Sequence, residues 1–314
     1  MHDYSRRLLL TVLFLPACLV AQKSGTTDRE IEIGNTKRAY VLHVPRGYKK
    51  SKKKKVPLVL MLHGRGSKGR QAASRYYGWT TLANKEGFIA AFPTAVGSPT
   101  SWQAGWGGGA TTDSKFLASL IDALIKEFNI DEHRVYMTGH SSGGFMSFSF
   151  ASTHPEKVAA IGPVAGLAIG IRRKPKMPVS LISFHGMADD VVAYDSKRGK
   201  KARWGRGMTS APESAAIFAK NNGCAKKPER EDLMKGIVHV DTWDGGDKDT
   251  RVVFYSIEGW GHGWPKKSRK SVEATPLIWK FFEEHGRSAP GTKKKKKKKS
   301  KKQRTQKRQK VGNK

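Results

Sequence analysis

The chain has 314 residues, 38% of them hydrophobic, so it can bury a sizeable core in one large domain or two small ones. Its 59 Lys and Arg outnumber its 26 Asp and Glu, which gives a formal net charge of +33. Only two cysteines are present, and no Cys/His spacing indicates zinc. We therefore expect neither a metal site nor a thiol enzyme.

The first 21 residues have the layout of a secretory signal peptide. The positively charged MHDYSRR precedes LLLTVLFLPACLVA, an apolar run of 14 residues that is too short for a transmembrane span. Cleavage after Ala21 would leave an exported protein in which Cys224 is the only cysteine, without an internal disulfide. The alternative is lipoprotein processing at Cys18, since LPAC resembles such a site. The chain is therefore expected to be secreted, periplasmic or at the cell surface.

Predicted strands and helices alternate through the first half of the chain. VPLVLMLHG is a continuous apolar run, as in a strand that is buried on both faces of a parallel sheet. A long loop at 94–112 is of the kind that often carries function in compact domains. The other elements, in chain order, are strands at 30–33 and 38–45, the apolar strand at 56–64, a helix at 70–85, a strand at 87–93 and a helix at 113–128.

The second half continues the alternation, beginning with the buried-strand run RVYMTG. Its elements are strands at 134–139, 159–166 and 179–186, helices at 141–153 and 213–223, late strands at 237–243 and 251–259, and a final helix at 271–286. This alternation predicts an α/β fold with a mostly parallel central sheet and helices on both faces. The domain is expected to run from about 28 to 286.

Much of the positive charge lies in two runs. Residues 293–314 carry twelve Lys, two Arg and no acids, and a second run covers 49–55. The tail at 287–314 has no apolar period and is expected to be disordered. It either solubilises the chain or attaches it to an anionic surface such as cell wall, lipid headgroups, acidic glycan or nucleic acid. No specific nucleic-acid recognition is predicted, because the basic runs lack interleaved aromatic residues.

GHSSGG at 139–144 follows a buried strand and opens a helix, which is the setting of a nucleophile elbow. Gly139 and Gly143 allow a strained turn and a close approach of strand and helix. Such a turn would raise the Ser141 hydroxyl above the sheet. The backbone N–H of Ser142, at the helix N-terminus, would then point toward a developing oxyanion.

A nucleophilic serine needs a base, and the base needs an orienting acid. In this setting they are expected later in the chain, in the order acid then His, each after a strand. Asp189 and Asp190 follow the strand SLISFHG, and His262 lies in a loop of Gly and Trp after the last predicted strand. These residues predict a Ser141–His262–Asp189 triad, with Asp190 as the alternative acid.

The oxyanion hole needs a second donor, and the turn after LMLHG suggests the N–H of Arg65. Other polar and aromatic residues near these motifs are candidates for lining the substrate site, although buried packing is the default for each Trp. They are His140, Trp102, Trp106, Trp260 and Trp264.

Four motifs, LHGRG, RVYMTGHSSGGFM, HGMADDVVAY and GHGWP, resemble in their order those of secreted esterases related to polyhydroxybutyrate depolymerases and to feruloyl and acetylxylan esterases. The resemblance covers roughly 38–285. It implies an α/β-hydrolase fold with Ser141 as nucleophile, Asp189 as acid and His262 as base. The family has its acid directly after HGxA, which favours Asp189 over Asp190. Ala193 departs from the family, which often has proline there.

The sequence therefore predicts an exported, monomeric serine esterase that acts through an acyl-enzyme and uses neither a metal nor an organic cofactor. The expected substrates are feruloyl or acetyl esters of polysaccharide, and polyhydroxyalkanoate polyester is the alternative within the same chemistry. Peptidase activity is disfavoured because amide hydrolysis must also protonate a poor leaving group. A different class, an anionic-surface or nucleic-acid-binding protein on a hydrolase scaffold, is favoured by the charge of +33 and opposed by the predicted triad.

Overall fold

The computed structural model describes residues 24–50, 54–105, 109–171, 174–195, 209–268 and 270–287. The predicted signal peptide, with Cys18, and the Lys-rich tail after Arg287 lie outside the described residues. Within them, no helix has both the length and the hydropathy that crossing a membrane requires.

The strands of the described chain form a single mixed sheet. They are β1 Gly25–Ile33, β2 Thr36–Val44, β3 Val56–Leu62, β4 Ile89–Pro93, β5 Ile130–His140, β6 Ala160–Val164, β7 Ser180–Gly186, β8 Glu229–Leu233, β9 Val238–Trp243 and β10 Val252–Ile257. Their order across the sheet is β1-β2-β4-β3-β5-β6-β7-β10-β9-β8. The six central strands, from β4 to β10, are parallel, and the two strands at each edge are antiparallel. The predicted, mostly parallel sheet is confirmed.

Helices cover both faces of this sheet. They are α1 Gly69–Ala72, α2 Trp79–Glu86, α3 Thr112–Glu127, α4 Ser142–Thr153, α5 Ala211–Asn221 and α6 Ala274–Glu284. Successive side chains of β3 point to opposite faces of the sheet, and each face has its own core. On one face Leu58, Leu60 and Leu62 pack with α3, α4 and α5. On the other face Val59 and Met61 pack with α2 and α6. Because both faces are covered, β3 is buried along its whole length.

Two local predictions from the sequence differ from the structure. The single helix at 70–85 is wrong, because α1 ends at Ala72 and α2 begins only after Gly78, whose φ of +75° lies in the left-handed region. Strand β8 was not predicted, since its sequence EREDL is largely exposed at the sheet edge and shows no apolar alternation.

Helix α4 approaches the sheet closely because small residues lie where they meet. A Cβ atom built on Gly143 would lie 2.3 Å from the carbonyl oxygen of Leu62 in β3. A Cβ on Gly139, at the end of β5, would lie 2.4 Å from the carbonyl oxygen of Gly143. Only glycine permits this spacing, so these residues fix how the start of α4 sits above β3 and β5.

We expect Gly143→Ala to destabilise the protein by about 1–3 kcal/mol, because the added methyl group must push α4 away from β3. Gly109→Ala is the matched control, since a Cβ there has no neighbour within 4 Å. Urea unfolding followed by tryptophan fluorescence measures both variants. Equal midpoints for the two variants would show that the close approach is not a packing constraint.

Strand β9 is linked to both of its neighbours through His239. Its Nδ1 lies 2.7 Å from Asp232 Oδ1 on β8, and its Nε2 lies 3.1 Å from Glu258 Oε1, just after β10. The hydrogen bonds with Asp232 and Glu258 raise the pKa of His239 above its ordinary value. The protonated ring donates to both carboxylates, so protonation strengthens this edge of the sheet.

A raised folded-state pKa means that this stabilisation is fully present below the ordinary histidine pKa and is lost as the pH rises through the folded-state value. We therefore expect His239→Gln to lower Tm by about 2 °C at about pH 5.5 and by less at about pH 8.5. Calorimetry at both pH values tests this. A loss of Tm that is independent of pH would mean that the imidazole contributes only packing.

Candidate active site

Ser141 is held in a strained backbone conformation at the sharp turn between β5 and α4. Its φ of +54° and ψ of −117° are rare for a residue other than glycine. Its N–H donates to the Val164 carbonyl at 2.9 Å, and its own carbonyl accepts the N–H of Phe145 at 3.0 Å. Strain of this kind costs on the order of 1–3 kcal/mol and persists only where the surrounding structure enforces it.

Ser141, Asp189 and His262 meet because each follows one of the parallel strands β5, β7 and β10, whose carboxyl ends lie on the same side of the sheet. His262 Nε2 lies 2.8 Å from Ser141 Oγ, and His262 Nδ1 lies 2.8 Å from Asp189 Oδ2. A carboxylate only accepts, so Nδ1 carries hydrogen and the Nε2 lone pair can accept the Ser141 hydroxyl proton. Asp190, the alternative acid, is exposed.

Asp189 is buried and surrounded by donors. Its Oδ1 accepts the N–H groups of Val191 and Val192 at 2.9 and 2.8 Å. His185 Nε2 donates to the Val192 carbonyl at 3.0 Å and also lies 3.4 Å from Asp189 Oδ2. Burial raises the pKa of Asp189, but the hydrogen bonds from His185 and His262 outweigh burial and hold the pKa well below its ordinary range. Asp189 is therefore an anion at neutral pH.

Ser141 and His262 line a pocket of about 360 Å³ at the carboxyl ends of the central strands, whereas Asp189 is buried behind His262. Its walls combine small polar groups with apolar ones, and no acidic side chain of the described chain lines it. The lining residues are Gly64, Arg65, Ser101, Trp102, Ala104, His140, Ser141, Ser142, Phe145, Val191, Val192 and His262.

Both predicted oxyanion donors line this pocket. The turn after β3 contacts the serine, since a Cβ on Gly64 would lie 3.6 Å from Ser141 Cβ. Ser142 is the first residue of α4, so its N–H has no acceptor within the helix. The N–H of Arg65 has no backbone acceptor among the described residues. Arg65 and Ser142 thus line the same pocket as Ser141, and neither N–H has a backbone acceptor within the described chain.

His140 forms an uncharged wall of the pocket beside His262. The two rings have centroids 5.0 Å apart, and Tyr77 packs against His140 from another side. Burial, with the neighbouring His262 acting in the same direction, lowers the pKa of His140 to about 3. Its Nε2 is buried without a hydrogen-bond partner among the described residues. At neutral pH, His140 is therefore neutral.

The four predicted tryptophans differ in their positions. Trp102 lines the pocket and anchors its loop, since its Nε1 donates to the His63 carbonyl at 2.9 Å. Trp106 lies outside the described residues. Trp260 is half-buried, and its Nε1 donates to the Gly263 carbonyl at 3.1 Å, so it supports the loop that carries His262. Trp264 is 1% exposed and bonded to Thr275, which corrects the prediction that it lines the substrate site.

A buried ion pair that was not predicted from the sequence holds the pocket loop in place. Arg38 Nη2 donates to Asp113 Oδ1 at 2.6 Å, and the Arg38 guanidinium lies 4.0 Å from the centroid of the Phe116 ring. The second oxygen of Asp113 accepts the N–H of Gln103 at 2.9 Å, next to Trp102. An arginine within an otherwise apolar strand, RAYVLHV, was the signal available in the sequence.

Among the described residues, no His, Cys, Asp and Glu side chains are grouped as metal ligands. Cys224 is half-buried, and burial raises the pKa of its thiol to about 11, with Asp244 and Asp247 acting in the same direction. Its thiol therefore lacks the character of a nucleophile.

Known enzymes resemble this chain in sequence. A bifunctional acetylxylan esterase/xylanase of Neocallimastix patriciarum is 31% identical over 206 residues, which cover 66% of this chain and 28% of that enzyme. Feruloyl esterase D of Neurospora crassa is 25% identical over 76% of this chain and 87% of its own length. This chain thus spans little more than a quarter of the first relative.

The solved structure of an acetyl xylan esterase from Aspergillus awamori shares the fold, with a TM-score of 0.60 at 16% identity, over 82% of this chain and 99% of that one. The fold is therefore the predicted α/β-hydrolase fold. The family model described as Esterase PHB depolymerase matches residues 38–197, which include most of β2, all of β3 to β7 and the turn at Ser141. The chain belongs to this family of carboxylic ester hydrolases.

Proposed function

We propose that this chain hydrolyses carboxylic esters with Ser141 as nucleophile, His262 as general base and Asp189 as the acid that orients it. The observation that carries the proposal is the unbroken chain of hydrogen bonds from Ser141 Oγ through His262 to Asp189. A serine hydroxyl is a weak nucleophile until a base accepts its proton, and the base needs a fixed tautomer. The tautomer that Asp189 imposes leaves His262 Nε2 ready for that proton.

In the first half of the reaction, Ser141 Oγ bonds to the ester carbonyl carbon as its proton moves to His262 Nε2. The carbonyl oxygen becomes an anion that accepts hydrogen bonds from the N–H groups of Arg65 and Ser142. The imidazolium is stabilised by Asp189 and gives its proton to the departing alcohol oxygen. The product of this half is an ester of Ser141 with the acyl group.

In the second half, water attacks the acyl carbon while His262 accepts a proton from it. The tetrahedral anion again faces the same two N–H groups, and its collapse breaks the bond to Ser141 Oγ. His262 returns the proton to that oxygen, which restores the free hydroxyl and releases the acid. His140 is neutral, so it neither competes for the proton nor adds a second positive charge.

We infer that the substrates are feruloyl or acetyl esters of polysaccharide. The names of the relatives support this substrate class, since one acts on acetylxylan and another on feruloyl esters. The pocket beside Ser141 is open and has apolar walls at Phe145, Val191 and Val192, which suits a small acyl or an aromatic acyl group. Polyester is the second candidate, since the description of the family includes a depolymerase.

The proposed substrates are extracellular polymers, so the proposal includes export of the chain. The signal-peptide layout of residues 1–21 supports export. The exported protein is either released after cleavage at Ala21 or held by a lipid on Cys18. Mass spectrometry of the mature N-terminus distinguishes them.

The role of Asp189 is tested by a pair of adjacent substitutions. We expect Asp189→Asn to lower kcat by about 10⁴-fold because the amide imposes the wrong tautomer on His262. Asp190→Asn is the control and should change kcat by less than about twofold, since Asp190 is exposed. Initial rates on p-nitrophenyl acetate measure both, with Ser141→Ala as the inactive reference. A larger loss in the Asp190 variant would assign the acid to that residue.

The substrate class is tested by the ranking of kcat/KM among three soluble esters: methyl ferulate, p-nitrophenyl acetate and a hydroxybutyrate oligomer. We expect at least about tenfold preference for the feruloyl or acetyl ester, equivalent to about 1.4 kcal/mol of transition-state binding. A preference for the oligomer would instead establish the polyester reading. Absence of turnover on all three by the folded chain would contradict ester hydrolysis itself.

A further inference from the structure

A second concave surface lies at the amino ends of the parallel strands, opposite to the pocket at Ser141. It is a groove of about 560 Å³ between the loop before β3, the start of β5 and helix α6. We call it the basic groove, because cations outnumber acids among its lining residues. The cations are Arg46, Lys49, Lys54, Lys55 and Arg134, and the acids are Glu86 and Glu283.

Most of these cations are available to a partner. Arg46, Lys49, Lys54 and Lys55 are exposed, and none forms an ion pair with another residue of the described chain. In contrast, Glu86 lies 3.1 Å from the ammonium of Lys85, which offsets its charge. The groove therefore presents an excess of uncompensated positive charge.

The described chain ends beside this groove. The N–H of Arg287 donates to the His133 carbonyl at 2.8 Å, and a Cβ on Gly286 would lie 3.1 Å from Arg134 Cγ. Arg134 Nη2 in turn donates to the Lys55 carbonyl at 2.7 Å. The sequence that follows, to residue 314, contains twelve Lys, two Arg and no acids. The described chain thus ends beside Arg134 and Lys55, and the Lys-rich run at 293–314 follows shortly after it in the sequence.

From this arrangement we propose that the basic groove binds an acidic polysaccharide through carboxylate or sulfate groups. Lysine ammonium groups are compact point charges that pair with such anions without requiring a planar partner. The groove is concave and so suits a chain. This inference goes beyond the proposed hydrolysis, because it concerns what holds the enzyme in place and not what it cleaves.

The groove lacks the features that other polyanions require. The large hydrophobic side chains exposed on the described chain are Tyr76, Val96 and Met187, and none of them lines the groove, so it offers no apolar anchor to a bilayer. Its aromatic residues are Tyr48, Tyr136 and Trp279. Tyr136 and Trp279 are buried. The half-buried Tyr48 ring packs against Phe128 and its hydroxyl accepts the N–H of Asn129, so the groove presents at most one partly covered ring for stacking on nucleobases.

The basic groove and the pocket at Ser141 lie at opposite ends of the central strands. Strand β3 begins at Val56, next to Lys55, and ends at Leu62, just before the turn with Arg65. A strand of this length spans about 20 Å. An acidic chain bound in the groove therefore leaves the pocket at Ser141 open. Docking of this kind would hold the enzyme on an anionic matrix with its pocket turned away from the attachment.

The test compares two variants of the full-length chain, each of which loses three lysine charges. One set of lysines lines the groove and the other lies away from it. The groove variant is Lys49→Gln/Lys54→Gln/Lys55→Gln. Binding to immobilised dextran sulfate and to polygalacturonate is measured at a fixed ionic strength. We expect the affinity of the groove variant to fall about tenfold, since each exposed charge contributes a factor of about two.

The control variant is Lys235→Gln/Lys267→Gln/Lys270→Gln, whose residues are exposed in the turn before β9 and in the segment after β10. We expect its affinity to fall by less than about twofold, because these lysines lie away from the groove. Equal losses in both variants would overturn the proposal, because binding would then depend on net charge alone. Tighter, groove-dependent binding to phosphatidylserine vesicles or to duplex DNA would overturn it in favour of another partner.

A second measurement tests the separation of the groove from the pocket. The wild-type chain saturated with dextran sulfate should hydrolyse p-nitrophenyl acetate with kcat/KM within about twofold of the free chain. A loss of turnover on binding would overturn the placement of the polysaccharide opposite the pocket. If the free chain showed no turnover, the proposed hydrolysis would fail, whereas the comparison of the two lysine variants would still decide the binding.

Discussion

The close approach of α4 to β3 at Gly143 is the constraint on which the candidate site depends. A Cβ atom on Gly143 would collide with the Leu62 carbonyl oxygen, so only glycine lets the start of α4 lie over the end of β3. Ser141, two residues earlier, has its strained φ of +54° in the sharp turn between β5 and α4. The turn at Gly64 lies against Ser141, and Arg65 and Ser142 line the same pocket as Ser141. Close packing that a larger side chain would not allow thus adjoins the strained residue.

The charge of the site is arranged around one buried anion. Asp189 keeps its charge because two backbone N–H groups and two imidazoles face it, although burial alone would favour its neutral form. His262 therefore has a fixed partner for Nδ1, and its Nε2 is directed at Ser141. His140 lies on the other side and stays neutral because it is buried next to another imidazole. A single negative charge thus sets the tautomer of one histidine, while desolvation sets the charge of the other.

Features that depend on the residues of one strand or one turn were predictable from the sequence. Apolar runs that end in glycine predicted β3 and β5, and the order of Ser141, Asp189 and His262 after buried strands predicted side chains that the structure brings together. Features that depend on distant contacts were not predictable in this way. Burial of Trp264 is set by Tyr77 and Thr275, which are remote from it in the chain or lie on a different element. The pairing of Arg38 with Asp113 joins β2 to α3 across 75 residues, and the arginine within its strand indicates a buried charge without identifying its partner.

The position of the positive charge matters more than its amount. A net charge of +33 spread evenly would repel cations from the pocket and attract anions everywhere, including at the oxyanion donors. Among the described residues, four exposed cations without ion-pair partners, Arg46, Lys49, Lys54 and Lys55, line the basic groove about 20 Å from the pocket along β3, whereas one cation, Arg65, lines the pocket. That distance is about two Debye lengths at physiological ionic strength, so their field is largely screened at Ser141. The proposed reaction needs a local anion at Asp189 and local donors for the oxyanion, and the proposed binding of an acidic matrix at the remote basic groove would disturb neither.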